Sequence, residues 1–583
     1  MTPPAARAAE RRRRLLRRAV PAAILIVLAF AVGIVLGLSG GDDGKAAVRR
    51  YAAAWSQGDW AAMHAQLTPQ ARRDTPLLAF AQAGRAALDT ATATATERDV
   101  RAGDPRRDGE RWRLPVSVHT RVFGTIRGDV LVDVDTTGDE PRIAWAPRLA
   151  FPGLREDERL TRQTVMRERG ALLARDGTRL AGGPQRTGSS PDVAGSVVGT
   201  LGPVPQERAA QLRALGVPED AQVGINGLER IFDARLAGLP SGTLKAGNRV
   251  IARVSGRDGQ DVRTTIDPEL VRASSAALAG RYGAAVVLDP RSGAVLGYAG
   301  VPFSIVQPPG STFKIVTLAG ALERRIVKLS DSFPPQTFAT LSGVKLANAY
   351  DESCGGTLEQ AFARSCNSVF APLGARLGAR ELVKTAERFG FNADPPFPVV
   401  ARSTIPEAGS IGDDLAVGSS AIGQGLVQAT TLQMAQIAAT VARRGLQSKP
   451  TLDLAQARLA VGRKGERVIS ARTARTLDRV MRAVVRSGTG GAAAIQGTPV
   501  AGKTGTAELR SRQEPESTDE GTLITTPRDA SETDAWFVGY APAGRDRTAR
   551  VAVAVLLVGH GAGGDTAAPA AHGLLVAALT RRR

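Results

Sequence analysis

One uncharged run near the N-terminus constrains this chain most. Residues 19–38 contain no charged side chain, and seven arginines lie among residues 7–18. About 20 apolar residues in a helix cross the roughly 30 Å hydrocarbon layer of a bilayer, whereas the apolar part of a signal peptide has about 7–15 residues. The run predicts one uncleaved transmembrane anchor at 19–39. Because basic flanks stay cytoplasmic, we expect residues 1–18 to form a cytoplasmic Arg-rich tail and the bulk to lie outside the plasma membrane.

The composition is that of a folded protein with excess positive charge. Hydrophobic residues make up 43% of the 583 residues and charged residues 23%, and the net charge is +20. Such a charge often indicates nucleic-acid or anionic-surface binding. Only nine of the 76 basic residues are lysines, which indicates a compositional bias toward arginine. With the bulk predicted outside the membrane, we expect no nucleic-acid partner. The four histidines and two cysteines form no ligand cluster, so we predict no metal and no cofactor.

Three regions follow the predicted anchor, so the chain is multidomain, with α/β and α+β parts. Residues 45–152 start with amphipathic helices and continue with alternating strands, typical of a small α+β domain. Residues 153–263 are irregular, rich in glycine and arginine, and too long for a linker. Residues 264–583 mix strands and helices, and they end with an apolar strand at 551–558 and a helix at 567–580. This pattern predicts an α/β domain.

A serine and a lysine one helical turn apart form the strongest candidate site. Ser311 follows the Pro-Pro-Gly sequence of residues 308–310, and Lys314 leads into an apolar run. A helix that begins here places both side chains on one face. A serine hydroxyl needs a base, and a lysine can be that base when desolvation or positive charge lowers its pKa. The same spacing recurs at Ser342 and Lys345, but in a turn-like stretch with no helix behind it, so we assign it to chance.

Two further motifs support this site. Ser365 and Asn367 form the only S-x-N of the chain, on a loop predicted after a helix at 358–364. They could relay a proton and hold a peptide backbone, although a helix cap would give the same short pattern. The second motif is a predicted strand that reads Lys503, Thr504, Gly505 and Thr506. Its glycine permits close approach of a ligand backbone, and its lysine and threonines suit a substrate carboxylate.

The three motifs, in the order S-x-x-K, S-x-N and K-T-G, resemble the set of penicillin-recognising serine transpeptidases. Further phrases resemble class B penicillin-binding proteins, and they lie at 264–268, 421–425, 501–508 and 535–542. The phrases at 167–177 and 227–229 resemble the pedestal, or dimerisation, domain of that family. Residues 45–152 resemble the NTF2-like N-terminal domain of its methicillin-resistance-type branch. The resemblance implies an antiparallel sheet flanked by helices, plus an all-helical subdomain, within 264–583.

The resemblance also implies a reaction, the cross-linking of peptidoglycan stem peptides by a D,D-transpeptidase. Ser311 would attack the carbonyl of the penultimate D-alanine, with Lys314 as base. Ser365 would relay the proton to the departing D-alanine, and Asn367 would hold the stem backbone. Lys503 would support Ser365 electrostatically. β-Lactams would stall the enzyme as the same serine ester.

The K-T-G strand would bind the end of the substrate. The resemblance implies that Thr504 and Thr506 bind the terminal carboxylate, with Gly505 between them. The backbone N–H groups of Ser311 and Thr506 would form the oxyanion hole. The implied partners are stem peptides ending in D-Ala-D-Ala, β-lactams, the plasma membrane and a glycan polymerase of the elongation or division machinery.

Several alternatives and departures stay open. The same fold also carries D,D-carboxypeptidases and β-lactamases, and a non-catalytic β-lactam sensor or scaffold is a further alternative. Thr431 stands where the family usually has proline, and the acidic segment 508–534 has no functional explanation. Cys354 and Cys366 are 12 residues apart in a compartment predicted to be oxidising, so they form either a disulfide that tethers the S-x-N loop or two free thiols.

Overall fold

The computed structural model describes two compact units. The described residues are 43–96, 98–508, 513–514, 522–523, 533–545 and 547–581. The predicted tail at 1–18 and anchor at 19–39 lie outside them. Among the residues that the structure describes, no helix has the length and apolarity to cross a membrane. Of the described residues, the first unit contains 43–167 with 204–221 and 239–257, and the second contains 168–203, 222–238 and those from 258 onward.

The first unit combines five helices with two antiparallel sheets. Its described helices are Asp43–Gln57, Trp60–Ala65, Pro69–Asp74, Leu77–Thr90 and Gln206–Ala214. The larger sheet has the strand order Val100–Ala102, Arg111–Thr120, Gly124–Asp135 and Arg142–Ala144, with Arg106–Asp108 paired to Arg111–Thr120. The smaller sheet has the order Arg249–Val254, Ser241–Ala246 and Leu160–Val165. The predicted order of helices followed by strands is therefore present in residues 45–152.

Side-chain periodicity accounts for the first of these helices. Val48, Tyr51 and Trp55 are buried on one face at helical spacing, as expected for an amphipathic helix against a core. Gly58 then takes a positive φ of 70°, which ends the helix without a steric penalty. Asp59 caps the next helix because its carboxylate accepts the N–H of Ala62.

The second unit holds the remaining elements. Its described helices are Pro191–Val197, Gly227–Ile231, Asp233–Ala237, Pro268–Leu278, Lys314–Glu323, Leu358–Ala363, Asn367–Leu377, Ala379–Arg388, Asp414–Ala421, Thr431–Ala442, Leu454–Val461, Ala471–Ser487 and Ala568–Thr580. The strands of its main sheet are, in spatial order, Val295–Gly300, Gly283–Leu288, Val551–Leu557, Thr533–Ala541 and Ala501–Glu508. Its shorter described strands are Leu172–Leu173, Arg179–Ala181, Leu201–Gly202, Val223–Gly224, Val262–Arg263, Ser332–Gln336, Phe338–Leu341, Val344–Ala347, Cys354–Thr357, Leu446–Gln447, Glu466–Arg467, Gln513–Glu514 and Thr522–Leu523.

The main sheet is antiparallel throughout and is covered on both faces. Helices Pro268–Leu278 and Ala568–Thr580 pack on one face, and helix Thr431–Ala442 packs on the other. Every residue of the strand Val551–Leu557 is buried, which explains why its sequence is continuously apolar rather than alternating. The structure therefore shows a mixed α/β fold with a sheet between helices. The stretch 314–442 contains six of the helices and also the four short strands between 332 and 357, so it is not all-helical.

Residues 153–263 are divided between the two units. Strand Leu160–Val165 pairs with Ser241–Ala246 in the first unit, whereas Leu172–Leu173 pairs with Val262–Arg263 in the second. The domain boundaries inferred from the sequence, including a pedestal at 153–263, stay predictions.

Candidate active site

Ser311 lies on a single 3-10 turn that leads directly into a buried helix. The turn spans Gly310–Phe313 and the helix spans Lys314–Glu323. Gly310 takes a positive φ of 50°, which turns the chain from the preceding prolines into the helix. The Nζ of Lys314 lies 2.9 Å from the Oγ of Ser311. The two side chains therefore lie on the same side, as predicted, and are joined by a direct hydrogen bond.

Four oxygen atoms surround the amine of Lys314. Its Nζ lies 2.7 Å from the carbonyl oxygen of Ser365, 2.7 Å from the Oδ1 of Asn367, 2.9 Å from the Oγ of Ser311 and 3.2 Å from the Oγ of Ser365. An ammonium group has three N–H donors and no acceptor. A neutral amine would donate to the carbonyl and the amide oxygen, which can only accept, and would keep its lone pair for the hydroxyl of Ser311. The geometry thus fits a neutral lysine that accepts the serine proton.

The electrostatics favour the same state. The side chain of Lys314 is fully buried, at 0% exposure. Burial lowers the pKa of Lys314 well below its usual range, and the positive charge of Lys503 lowers it further. Both effects penalise the ammonium form, as the sequence analysis required of a lysine base.

Both residues of the S-x-N motif contact the amine of Lys314. Helix Leu358–Ala363 ends before it, Ser365 takes a left-handed φ of 64°, and Asn367 opens the helix Asn367–Leu377. The prediction that both residues lie on a loop was wrong for Asn367. Its Nδ2 donates to the carbonyl of Ala347 at 2.9 Å, which fixes the amide so that Oδ1 faces Lys314.

A disulfide fixes the middle of the same motif. Cys366, between Ser365 and Asn367, is bonded to Cys354, with the two Cα atoms 5.4 Å apart. Cys354 opens the short strand Cys354–Thr357. Of the two states that the sequence left open, the structure has the bonded one.

Lys503 completes the cluster from the edge strand Ala501–Glu508. Its Nζ donates to the Oγ of Ser365 at 2.9 Å and to the carbonyl of Thr504 at 2.9 Å. Burial lowers the pKa of Lys503 to about 7. The hydroxyl of Ser365 thus lies between two buried amines, a position from which it can pass a proton.

The threonines of the edge strand contact residues that the sequence analysis missed. The hydroxyl of Thr504 hydrogen-bonds the hydroxyl of Thr489, and the hydroxyl of Thr506 accepts the N–H of Gly563 at 3.3 Å. Thr489 belongs to a Gly-Thr-Gly-Gly phrase after a helix, and this phrase was the available signal. Gly563 opens a π-helical turn before the last helix, and no sequence periodicity marks it.

Three glycines allow the backbones of this region to approach closely. A Cβ on Gly310 would lie 2.8 Å from the carbonyl oxygen of Thr506, and one on Gly505 would lie 2.9 Å from that of Pro309. A Cβ on Gly563 would lie 2.3 Å from the carbonyl oxygen of Gly505. The turn that carries Ser311 therefore packs directly against the strand that carries Thr506, which are the two segments predicted to supply the oxyanion-hole N–H groups.

The remaining candidates lie elsewhere. Ser342 is in an exposed hairpin turn, and Lys345 follows on a strand. Thr431 begins the helix Thr431–Ala442, a position where proline is well tolerated, and its buried hydroxyl has no hydrogen-bond partner among the described residues. Most of the acidic segment 508–534 lies outside the described residues.

Comparison with known proteins gives one consistent result. The Penicillin binding protein transpeptidase domain family matches residues 283–575. The peptidoglycan D,D-transpeptidase PbpA of Mycolicibacterium smegmatis is 34% identical over 415 residues, which cover 60% of this chain and 79% of that protein. The D,D-transpeptidase domain of a peptidoglycan glycosyltransferase from Eggerthella lenta superposes with a TM-score of 0.54 at 28% identity, covering 71% of this chain and 98% of that one.

Solved acyl-enzyme complexes are also among the similar structures. The penicillin G acyl-enzyme complex of penicillin-binding protein A from M. tuberculosis superposes with a TM-score of 0.53 at 26% identity, covering 71% of this chain and all of that one. A relative of the same fold therefore forms a covalent complex with penicillin.

Proposed function

Since this chain belongs to the penicillin-binding protein transpeptidase family, of class B type, we propose that it cross-links peptidoglycan stem peptides through an acyl-enzyme on Ser311. The observation that carries this proposal is the geometry around Lys314, whose buried amine contacts Ser311, Ser365 and Asn367 together. The relatives named peptidoglycan D,D-transpeptidases support the substrate, a stem peptide that ends in D-Ala-D-Ala. The penicillin complex of a relative supports acylation by β-lactams.

Acylation depends on the hydrogen bond between Ser311 and Lys314. The neutral Lys314 takes the proton of Ser311 as its Oγ attacks the carbonyl carbon of the penultimate D-alanine. The oxyanion forms where the N-terminus of the helix Lys314–Glu323 and nearby backbone N–H groups favour negative charge. Collapse of the tetrahedral intermediate then breaks the peptide bond.

Ser365 moves the proton to the leaving group. Its Oγ contacts the amines of both Lys314 and Lys503, so a proton on Lys314 can pass through this hydroxyl to the departing D-alanine. Lys503 contributes positive charge beside the site, and Thr504 and Thr506 receive the terminal carboxylate. An amine from a second stem peptide then attacks the ester, which forms the cross-link and frees Ser311.

We also propose a domain type, a location and a partner for the parts of the chain that lie away from this site. The helices followed by an antiparallel sheet in residues 45–152 support an NTF2-like domain of the methicillin-resistance-type branch. The uncharged run at 19–38 and its arginine flank support a single-pass plasma-membrane protein with its bulk outside the cell. There it would meet a glycan polymerase of the elongation or division machinery, because cross-linking needs newly made glycan strands.

The decisive experiment compares the two serines of the S-x-x-K matches. Fluorescent penicillin should label the wild-type protein and Ser342→Ala equally, and should not label Ser311→Ala. Incubation with a D-Ala-D-Ala stem peptide and an acceptor amine should give a cross-linked dimer by mass spectrometry. Absence of label on the wild type would overturn the proposal. Label that clears within seconds would identify a β-lactamase, and trimmed stem peptide without dimer a carboxypeptidase.

A further inference from the structure

A large charged cavity lies in the second unit, built from residues that the active site does not use. Its volume is about 1200 Å³. The cavity is formed by the chain at 175–190, the start of the helix Pro268–Leu278, the turn between two strands of the main sheet and the end of the helix Ala568–Thr580. Five arginines line it: Arg175, Arg272, Arg291, Arg550 and Arg581. We call this cavity the arginine groove.

Two of these arginines are already neutralised. Arg272 donates to Asp192 at 2.6 Å. Arg581 donates to Asp267 at 3.0 Å, and the carboxylate of Asp267 also caps the helix Pro268–Leu278. Their charges are therefore committed to the fold.

The side chains of the other three arginines make no hydrogen bond to described residues. Among the described residues, the guanidinium groups of Arg291 and Arg550 make no hydrogen bond or ion pair. The Nη1 of Arg175 is buried without a hydrogen-bond partner, and the carboxylate of Asp267 is 3.9 Å away. Burial lowers the pKa of Arg175, and so does the nearby charge of Arg581. An anion in the groove would relieve this unfavourable environment.

The acidic residues of the groove narrow the class of ligand. Asp176, Asp267, Glu269 and Asp289 line it too, so its net charge is only +1 with five arginines. A dense polyanion would face these carboxylates as well as the arginines. A peptide can satisfy both, because its carboxylate side chains pair with guanidinium groups while its backbone N–H groups donate to carboxylates.

We propose that the arginine groove binds an extended acidic peptide segment of a partner protein. Its carboxylates pair with Arg291 and Arg550 at the rim and with Arg175 deeper inside. The volume supports this occupant, because pockets for small molecules are usually about 300–1000 Å³ and this one is larger. None of the lining residues belongs to the S-x-x-K, S-x-N or K-T-G motifs, so the groove recognises a partner without occupying the active site.

Binding of a defined probe tests the proposal on the full-length protein in detergent. The probe is a blocked six-residue peptide in which glutamate and glycine alternate, labelled with a fluorophore and followed by anisotropy at low salt. We expect saturable binding that weakens about tenfold or more in the double variant Arg291→Gln/Arg550→Gln, because two charge-assisted hydrogen bonds are lost. The matched control is Arg325→Gln/Arg472→Gln, which removes two exposed arginines that do not line the groove.

The outcomes separate the groove from general charge and from the catalytic site. Both variants should keep full labelling by fluorescent penicillin, which reports an intact fold, and the single variant Arg291→Gln serves if the double variant loses it. No binding to the wild type, or equal weakening in the control, would overturn the proposal. So would inorganic tripolyphosphate that displaces the labelled peptide at a lower concentration than the unlabelled peptide does, since it would identify a phosphate polymer as the ligand.

Discussion

Two Ser-x-x-Lys tetrapeptides of this chain, at 311–314 and 342–345, have the same spacing and different structures. In the first, Lys314 is fully buried and its amine hydrogen-bonds the serine hydroxyl. In the second, Ser342 and Gly343 form a two-residue hairpin turn with φ values of 49° and 79°. The amine of Lys345 lies 5.3 Å from the centre of the Phe338 ring.

The difference shows that the Ser-x-x-Lys spacing brings the two side chains into contact only when a helix begins there and the lysine is buried. On a helix, residues three apart share a face, whereas the same spacing across a tight turn does not bring the two side chains together. Burial lowers the pKa of Lys314, whereas the side chain of Lys345 is only half-buried.

Removing each lysine gives the largest expected contrast. Lys314→Met should slow acylation by fluorescent penicillin by about 10²–10⁴-fold, because the general base is lost. Lys345→Met should leave the rate unchanged within about twofold, the change expected of a group outside the proton path. The rates are measured by time-resolved gel fluorescence. Comparable loss in both variants would show that burial and helix position do not distinguish the two lysines.

The pH dependence of acylation tests the neutral state of Lys314. The base must be unprotonated, so the rate should fall as the pH is lowered, by at most about tenfold per pH unit for one group. As the pH falls through the pKa of Lys503, which is about 7, the new positive charge lowers the pKa of Lys314, so in the wild type the decline should be displaced to lower pH. In Lys503→Met the positive neighbour is absent, the pKa of Lys314 rises, and the decline should move to higher pH. An unmoved or downward-shifted profile would contradict the assignment.

Removing the disulfide tests what fixes the segment that carries Ser365 and Asn367. In Cys354→Ser/Cys366→Ser, the free energy of unfolding should fall by about 2–3 kcal/mol, since a bridge across 12 residues no longer restricts the unfolded chain. Denaturant unfolding with and without reductant measures this. Reductant should destabilise the wild type and have no effect on the variant. A variant as stable as the oxidised wild type would show that Asn367 and its hydrogen bonds suffice.

The smallest expected effect lies at the turn. Ser342→Asn should change the free energy of unfolding by less than about 1 kcal/mol. Asparagine followed by glycine suits a turn with two positive φ values, but the substitution removes the hydroxyl that accepts the N–H of Leu415. Ser342→Val should destabilise it, since a β-branched residue is strained there. Thermal unfolding and penicillin labelling measure stability and activity in parallel. A change in labelling by either variant would contradict the separation of the turn from the active site.

The sequence predicted those features of the site that depend on local pattern. Ser311 and Lys314 are three residues apart, and helical geometry alone places them together. The apolar run at 551–558 and the helix at 567–580 correspond to the observed Val551–Leu557 and Ala568–Thr580. Their burial between other elements leaves a clear hydrophobic signal.

Contacts between distant parts of the chain had no such signal. Lys503 reaches Ser365 across 138 residues, and only the resemblance to a known motif set connected them. Thr489 beside Thr504 had no motif to indicate it. Likewise, the pairing of Ser241–Ala246 with Leu160–Val165 depends on strand association that no local pattern encodes.

The three glycines at 310, 505 and 563 bear on how such an enzyme can evolve. Around them the chain packs main chain against main chain, and a side chain at any of the three would collide with a carbonyl oxygen. Substitutions at neighbouring positions alter side chains but leave these main-chain contacts in place. On the proposed assignment of Ser311, selection by an inhibitor has little to change at these three contacts, and we expect adaptive variation in the surrounding side chains or in shifts of whole backbone segments.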